Sequence, residues 1–286
     1  MSNMRNIMLR LSLLFLVLIL QAFQLPSCEK PETGVIGDLV INHAAPLEWT
    51  VLEPGLKFSR LEFIRKTDGQ EIKIAALRID PEKFRFTLLS APQIKEEPVA
   101  WVREMAEKTG PVLAINASFY MLENNEPIGL LVRDGKELNP WGEGAGSGVF
   151  WIKDERARID RAGEFIDAWK DAELAVQAGP LVVEPGGKPG IYRNVEKHRA
   201  RTAVGMDNKG GVVMVCTFRG GEGSGLDLFE LMQIMLHPRK KGGLGLKVAL
   251  NLDGGTSSAM YLDHPELELD IRSTHPVRNA IALERR

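Results

Sequence analysis

Asp253 lies in the run Val248-Ala249-Leu250-Asn251-Leu252-Asp253-Gly254-Gly255-Thr256-Ser257-Ser258, where an apolar segment of strand length hands one carboxylate to two glycines and three hydroxyls. Such a strand is covered on both faces, so Asp253 should emerge at the end of a central strand rather than on a surface hairpin. Gly254 and Gly255 free the backbone. Their amides, with the hydroxyls of Thr256, Ser257 and Ser258, would converge on an anionic oxygen. The same residues would equally serve as a tight turn in which Asp253 bonds only to nearby amides.

Three more polar groups stand where apolar segments stop or start. Asn116 follows Ala114-Ile115 and precedes the small residues Ala117-Ser118, which allow close approach by a ligand. An Asn here would also cap or turn the chain. Gln177 heads Gln177-Ala178-Gly179-Pro180, a bend of small residues within an apolar stretch, where a bulge is the plainer alternative. Arg201 opens Arg201-Thr202-Ala203-Val204-Gly205 and would present a guanidinium beside a dry strand, where bidentate binding of phosphate or carboxylate is strongest. Its neighbours Arg193, Lys197 and Arg199 also fit a solvated basic segment. His198, three residues before Arg201, fits a surface or packing role.

The elements that must hold these groups are mostly strands. Leu61 to Ile64, Glu71 to Ile79 and Phe84 to Ser90 predict an antiparallel meander, and Pro111 to Ile115 a short buried strand ending at Asn116. Ile128 to Val132 with Lys136 to Leu138, and Gly148 to Ile152 with Ala157 to Ile159, predict hairpins. Ala175 to Val183, Arg201 to Met206, Gly211 to Phe218, Leu246 to Leu252, Met260 to Leu262 and Ala280 to Leu283 complete the strands. Helices are predicted over Val99 to Lys108, stopped by Gly110-Pro111, and over Asp227 to Leu236, with Pro238 beyond it. The expected class is α+β: a mixed, largely antiparallel sheet with a few packed helices, forming a single catalytic domain.

The N-terminus calls for separate treatment. Arg5 and Arg10 precede an apolar stretch from Leu11 to Phe23, then Leu25-Pro26-Ser27-Cys28. Thirteen helical residues span only about 20 Å, too short to cross a bilayer permanently, so residues 1–28 read as a secretory signal. The ending resembles the bacterial lipoprotein signal, with Cys28 as the lipidated residue, although Pro26 is atypical there. The expected location is therefore the bacterial cell envelope, periplasmic or surface-exposed and membrane-anchored through Cys28. Residues 29–54, with Pro31, Gly34, Gly37 and Pro46, read as a tether or edge segment, and 55–286 as the domain.

Cys216 lies in an apolar strand and reads as a small core residue. No CxxC or HxxxH spacing marks a compact zinc motif. Calcium on Asp253 and nearby oxygens is open, no loop of the EF-hand kind is present, and no cofactor is required. Of 36 basic and 38 acidic side chains, residues 1–28 hold two arginines and no acid. The remainder is thus net acidic, which argues against a nucleic-acid partner. Oligomeric state is not set by these features.

The order of the motifs resembles the phosphodiester glycosidase domain family, found in many bacterial envelope and exopolysaccharide-associated proteins. A family signature of the type Ile-Asn-Gly-Gly-Phe-Phe is matched by Ile115-Asn116-Ala117-Ser118-Phe119-Tyr120. Pro127-Ile128-Gly129-Leu130, Asp134-Gly135 and Ala178-Gly179-Pro180 follow in family order. The Pro-Arg-Thr-Ala-hydrophobic-Gly motif appears as Ala200-Arg201-Thr202-Ala203-Val204-Gly205, and Asn-Leu-Asp-Gly-Gly-Gly-Ser-Ser as Asn251 to Ser258 with Thr256 at the third glycine. The resemblance covers about Leu61 to Leu283. It implies hydrolysis of a sugar 1-phosphodiester at the glycosidic C1–O bond, with Asp253, Arg201 and Asn116 as the catalytic set. Asp253 would activate water or stabilise an oxocarbenium-like sugar, and Arg201 would clamp the leaving phosphate with the Gly254 and Gly255 amides and Ser257. Asn116 and Gln177 would hold sugar hydroxyls or an acetamido group, with Gly179, Thr202, Thr256 and Ser258 also meeting the carbohydrate phosphodiester. Ala117, Ser118 and Thr256, larger than the family's glycines, imply a reshaped pocket.

Two other classes share some of these features. A glycan-binding envelope lipoprotein of the same fold would keep the pocket without turnover. A nucleotide-dependent phosphotransferase would use Asp-Gly-Gly-Thr-Ser as a phosphate loop. Such loops open a repeated domain, whereas only 28 residues follow Ser258.

Overall fold

In the computed structural model the described residues are 34–165, 169–193, 197–218 and 225–286. The expected signal sequence and lipidated Cys28 lie outside the described residues. Apolar strands without alternation need cover on both sides, and three sheets around a shared core provide it. The largest runs in the order Val35–Ile36, Leu39–Ile41, Leu56–Arg65, Glu71–Ile79, Val212–Thr217, Thr202–Met206, Val248–Asn251, Leu181–Glu184 and Lys188–Pro189, with Thr50–Glu53 against Leu56–Arg65. A second sheet orders Arg156–Arg161, Gly148–Lys153, Leu174–Ala178, Leu131–Arg133 and Lys136–Asn139. The third orders Leu267–Ile271, Met260–His264, Leu113–Asn116, Asn279–Arg285 and Phe84–Ser90.

Side-chain alternation divides each strand between two cores. Val212, Met214 and Cys216 point into the central core with Phe86, Ile115, Phe150 and Leu250. Val213 and Val215 face the other way, against Leu231 and Met235 of the helix Leu228–Leu236. That helix begins with a capping box: the Asp227 carboxylate accepts from the Glu230 amide, and the Glu230 carboxylate accepts from the Asp227 amide. The helix Val102–Thr109 covers the third sheet, packing Val102, Met105 and Ala106 on Ala114, Tyr261 and Ala280. Among the described residues no helix is long and apolar enough to cross a membrane.

The architecture corrects the expected class in one respect. Every strand pairing among the described residues is antiparallel rather than mixed, and sheets dominate over helices. Two local expectations also change. Phe84–Ser90 does not extend the meander; after the turn at Asp80 it crosses the core and pairs with Asn279–Arg285, which sends Phe84, Phe86 and Leu88 inward. Ala175 to Val183 is two strands in two sheets. They part at Gly179, where a Cβ would stand 2.6 Å from the Ser147 amide nitrogen, and at Pro180, which has no N–H for a ladder. In the segment expected as a tether or edge, residues 34–54 supply strands at the rim of the large sheet, with Ile36, Leu39 and Ile41 buried.

Candidate active site

Three strand ends from two sheets meet beneath the loop that carries Asp253. Asn116 ends its strand fully buried, and its amide joins them: Nδ2 donates to the Asp253 carbonyl at 2.6 Å, while Oδ1 accepts from Thr202 Oγ1 at 2.8 Å and the Ala259 amide at 2.9 Å. The loop is tied down again by bonds from the Asp253 amide to Ala117 O (3.0 Å), the Leu252 amide to Thr202 O (2.9 Å) and the Gly255 amide to Ala200 O (2.7 Å). Asn251 Nδ2 reaches Gly179 O at 2.9 Å. Gly255 takes the left-handed φ of +62°, and a Cβ on Gly254 would come within 3.1 Å of Ala200 O. Gly255 is thus required by the turn itself, and Gly254 is favoured by the close approach of the Ala200 carbonyl.

Above this base opens a cavity of about 550 Å³ lined by Tyr120, Leu122, Arg199, Ala200 and the loop from Asp253 to Ser257. Burial pushes the Asp253 carboxyl from 3.8 up to about 6, against the opposing pull of hydrogen bonds from Ser257 and the Gly254 amide, the latter 2.8 Å from Oδ1. Desolvation therefore outweighs two donors. The Tyr120 hydroxyl donates to Pro276 O at 2.9 Å. Burial first, then the nearby Asp253 charge, raise its pKa, while Ser257 opposes them, so it remains a neutral phenol. Arg199 is exposed at the rim and makes no ion pair or side-chain hydrogen bond among the described residues. A carboxylate close to neutrality, a phenol and an available guanidinium around one cavity suit proton transfer beside an anionic leaving group.

The polar groups singled out from the sequence separate into two tiers. Asp253, Gly254, Gly255, Thr256 and Ser257 line the cavity. Asn116 and Thr202 lie under it, each fully buried, and Ser258 is buried with no partner for its hydroxyl. Arg201 is 6% exposed: Nε donates to Leu226 O at 2.8 Å and Nη2 reaches Lys197 O at 3.5 Å. The Gly254 and Gly255 amides, expected to meet a phosphate, are engaged by Asp253 Oδ1 and Ala200 O. Gln177 is not among the residues lining the cavity. Its Oε1 accepts from the Leu130 and Gly142 amides and its Nε2 donates to Gly142 O, fastening two loops together. Gly179 likewise packs against Gly146 and Ser147.

Tyr120 and Arg199 received no role from the sequence, yet both line the cavity. Tyr120 closes the motif that starts at Ile115. Arg199 lies two residues before Arg201, in the segment that bridges to Leu226. Another cavity, of about 420 Å³, lies over the helix Val102–Thr109. Its Arg103 is paired with Glu107 and Asp270 at 2.7 and 3.0 Å, so the charges there are largely matched. Among the described residues, three metal-capable side chains converge only at His198, Asp227 and Glu230, not around Asp253.

Known proteins resemble this chain in sequence and in fold. A family model described as phosphodiester glycosidase matches residues 109–284. The bovine (Bos taurus) N-acetylglucosamine-1-phosphodiester alpha-N-acetylglucosaminidase is 26% identical over 183 residues, covering 57% of this chain and 33% of that protein. The chain thus spans about a third of that relative's length. The catalytic domain of the zebrafish enzyme of the same name, solved in a form auto-inhibited by its pro-peptide, superposes with a TM-score of 0.62 at 14% identity, covering 86% of this chain and 85% of that one. A hypothetical protein from Synechocystis gives 0.59 at 17% identity, covering 85% and 64%.

Proposed function

The chain belongs to the phosphodiester glycosidase family, and on that premise we propose that it hydrolyses a glycosyl phosphodiester, breaking the sugar C1–O bond to release free sugar and a phosphomonoester. The observation that carries this reading is the partly buried Asp253 carboxyl, raised to about 6 by desolvation, facing a cavity that also holds Arg199 and Tyr120. At neutral pH most Asp253 is ionised, yet it is basic enough to take a proton from water or to stabilise positive charge developing at C1. The departing phosphate is a good leaving group, so one carboxylate suffices where ordinary glycosidases use two. Arg199 meets its charge at the rim. Arg201, held by backbone carbonyls, positions the turn beneath Gly254, and Asn116 fixes the height of Asp253 by gripping its carbonyl.

Thr256, exposed at the cavity wall where the family carries glycine, narrows the space for the sugar. The proposed substrate is therefore a carbohydrate phosphodiester of envelope or extracellular glycan material, reached by export through residues 1–28 and a lipid anchor on Cys28. Incubation with a panel of sugar 1-phosphodiesters tests the reaction: free sugar with matching phosphomonoester is expected. Binding without turnover across the panel would instead favour a non-catalytic glycan-binding protein. Cys28→Ala is expected to move the chain from the membrane fraction to the soluble one, and unchanged fractionation would remove the anchor.

A further inference from the structure

The contacts that hold Arg199 and Arg201 interleave with a second polar cluster. Arg199 pairs through backbone bonds with Leu226, and Arg201 Nε donates to the same Leu226 carbonyl. His198 is the next residue on one strand of this contact and Asp227 on the other. His198 Nε2 stands 3.6 Å from Asp227 Oδ2 and 3.6 Å from Glu230 Oε2, and the three donor atoms lie within 4.8 Å of one another. A distance of 3.6 Å is too long for a hydrogen bond. It is close to the roughly 3.4 Å between ligand atoms on a tetrahedral ion with bonds of about 2.1 Å.

Two independent features point to a cation here. Asp227 is buried, and among the described residues its Oδ2 has no hydrogen-bond partner, while Oδ1 is committed to the Glu230 amide at 2.7 Å. A buried carboxylate oxygen left without a donor is costly, which makes this one conspicuous. The charges also fail to balance. Among the described residues the Arg65 guanidinium meets Glu230 at 2.6 and 3.0 Å and Asp68 at 3.0 Å, while Arg201 Nε is spent on the Leu226 carbonyl, so one ion-paired guanidinium faces the carboxylates of Asp68, Asp227 and Glu230 there. With His198 neutral, a divalent ion would cancel the excess that remains. Arg65 would repel such an ion, but Glu230 and Asp68 already offset its charge, and Asp227 is the acid left over. His198, 29% exposed at its side chain, leaves an open side for a solvent ligand.

We propose that His198, Asp227 and Glu230 bind one divalent transition-metal ion. One imidazole nitrogen with two carboxylates suits zinc or manganese better than calcium. The ion would pin the segment carrying Arg199 and Arg201 to the head of the helix Leu228–Leu236 and so steady the cationic wall of the cavity. This site stands apart from the reaction proposed above, and its test does not use turnover.

Tag-free full-length chain, stripped with chelator and dialysed, is titrated with zinc chloride and separately with manganese chloride, reading bound metal and melting temperature. One ion per chain and a rise of several degrees are expected. His198→Ala removes a half-exposed ligand, and Asp227→Asn keeps the oxygen that caps the helix while removing the charge. Both should retain the wild-type circular dichroism spectrum, bind at least tenfold more weakly and lose the melting shift. Substoichiometric metal in the wild-type chain, or unchanged affinity in His198→Ala, would overturn the site. So would a melting temperature that rises on acidification but not with metal, since a protonated His198 would then be the balancing cation.

Discussion

Asp253 and Arg201 both belong to strand-end motifs, and Arg201 packs under the glycine that follows Asp253, yet the fold treats them in opposite ways. The brace beneath the cavity, comprising Asn116, Thr202 and Arg201, closes its hydrogen bonds inside the protein. In the wall above it, Asp253 is partly desolvated and Arg199 is left without an ion partner among the described residues. A buried polar group with satisfied bonds stabilises the fold, whereas one with unmet capacity costs stability and is available to a substrate. Residue type alone does not separate the tiers, since each contains an arginine.

The sharpest way to break this contrast is Asp253→Asn. Turnover is expected to fall at least about 1,000-fold, the scale of losing an essential acid or base. Stability should move the other way. The folded carboxyl sits near 6 rather than 3.8, so ionisation is disfavoured in the folded state. The resulting cost appears as pH rises from about 4 to 6 and is constant above. Allowing for solvent at the cavity mouth, it is about 2 kcal/mol. The Asn variant should therefore melt higher than wild type at pH 7 and alike below pH 4. Wild-type turnover should decline as pH falls through about 6. A variant that loses stability at pH 7 would place Asp253 in the brace instead.

Arg201→Ala probes the other tier. Removing a buried guanidinium takes one of two donors from the Leu226 carbonyl, loses the contact to Lys197 O and opens a gap under Gly254, at a cost of about 3 kcal/mol. For a chain of this size that is a fall of roughly 10 °C in Tm. A variant that kept its Tm while losing turnover would return Arg201 to the role of direct phosphate clamp. Arg199→Ala carries the smallest expected effect: an unchanged Tm and a rise in KM of about tenfold, reflecting one exposed charge–phosphate contact. Unchanged KM would remove Arg199 from the site.

Much of this site is legible in the chain. The left-handed turn at Gly255, the position of Asp253 at the end of a buried strand and the helix stop at Gly110 all follow from local rules, because each depends on backbone within a few residues. The break at Gly179 is harder to see, since what forbids a side chain there is the distant backbone of Gly146 and Ser147. Phe84–Ser90 could not be assigned to its sheet for the same reason: its pattern suits any buried strand, and only its match with Asn279–Arg285 selects one.

Sequence by itself determined most of the strands, the glycine loop, the carboxylate that loop presents and the resemblance that points to a phosphodiester. Tertiary structure decided which polar side chains spend their bonds inward and which face the cavity. It turned Gln177 and Asn116 toward backbone amides and carbonyls, set Arg201 under the loop and Arg199 beside it, and gathered His198, Asp227 and Glu230 from separate segments. The physical reason is that hydrogen-bond satisfaction and desolvation depend on neighbours brought together across tens of residues, whereas backbone conformation and hydrophobic pattern are written locally.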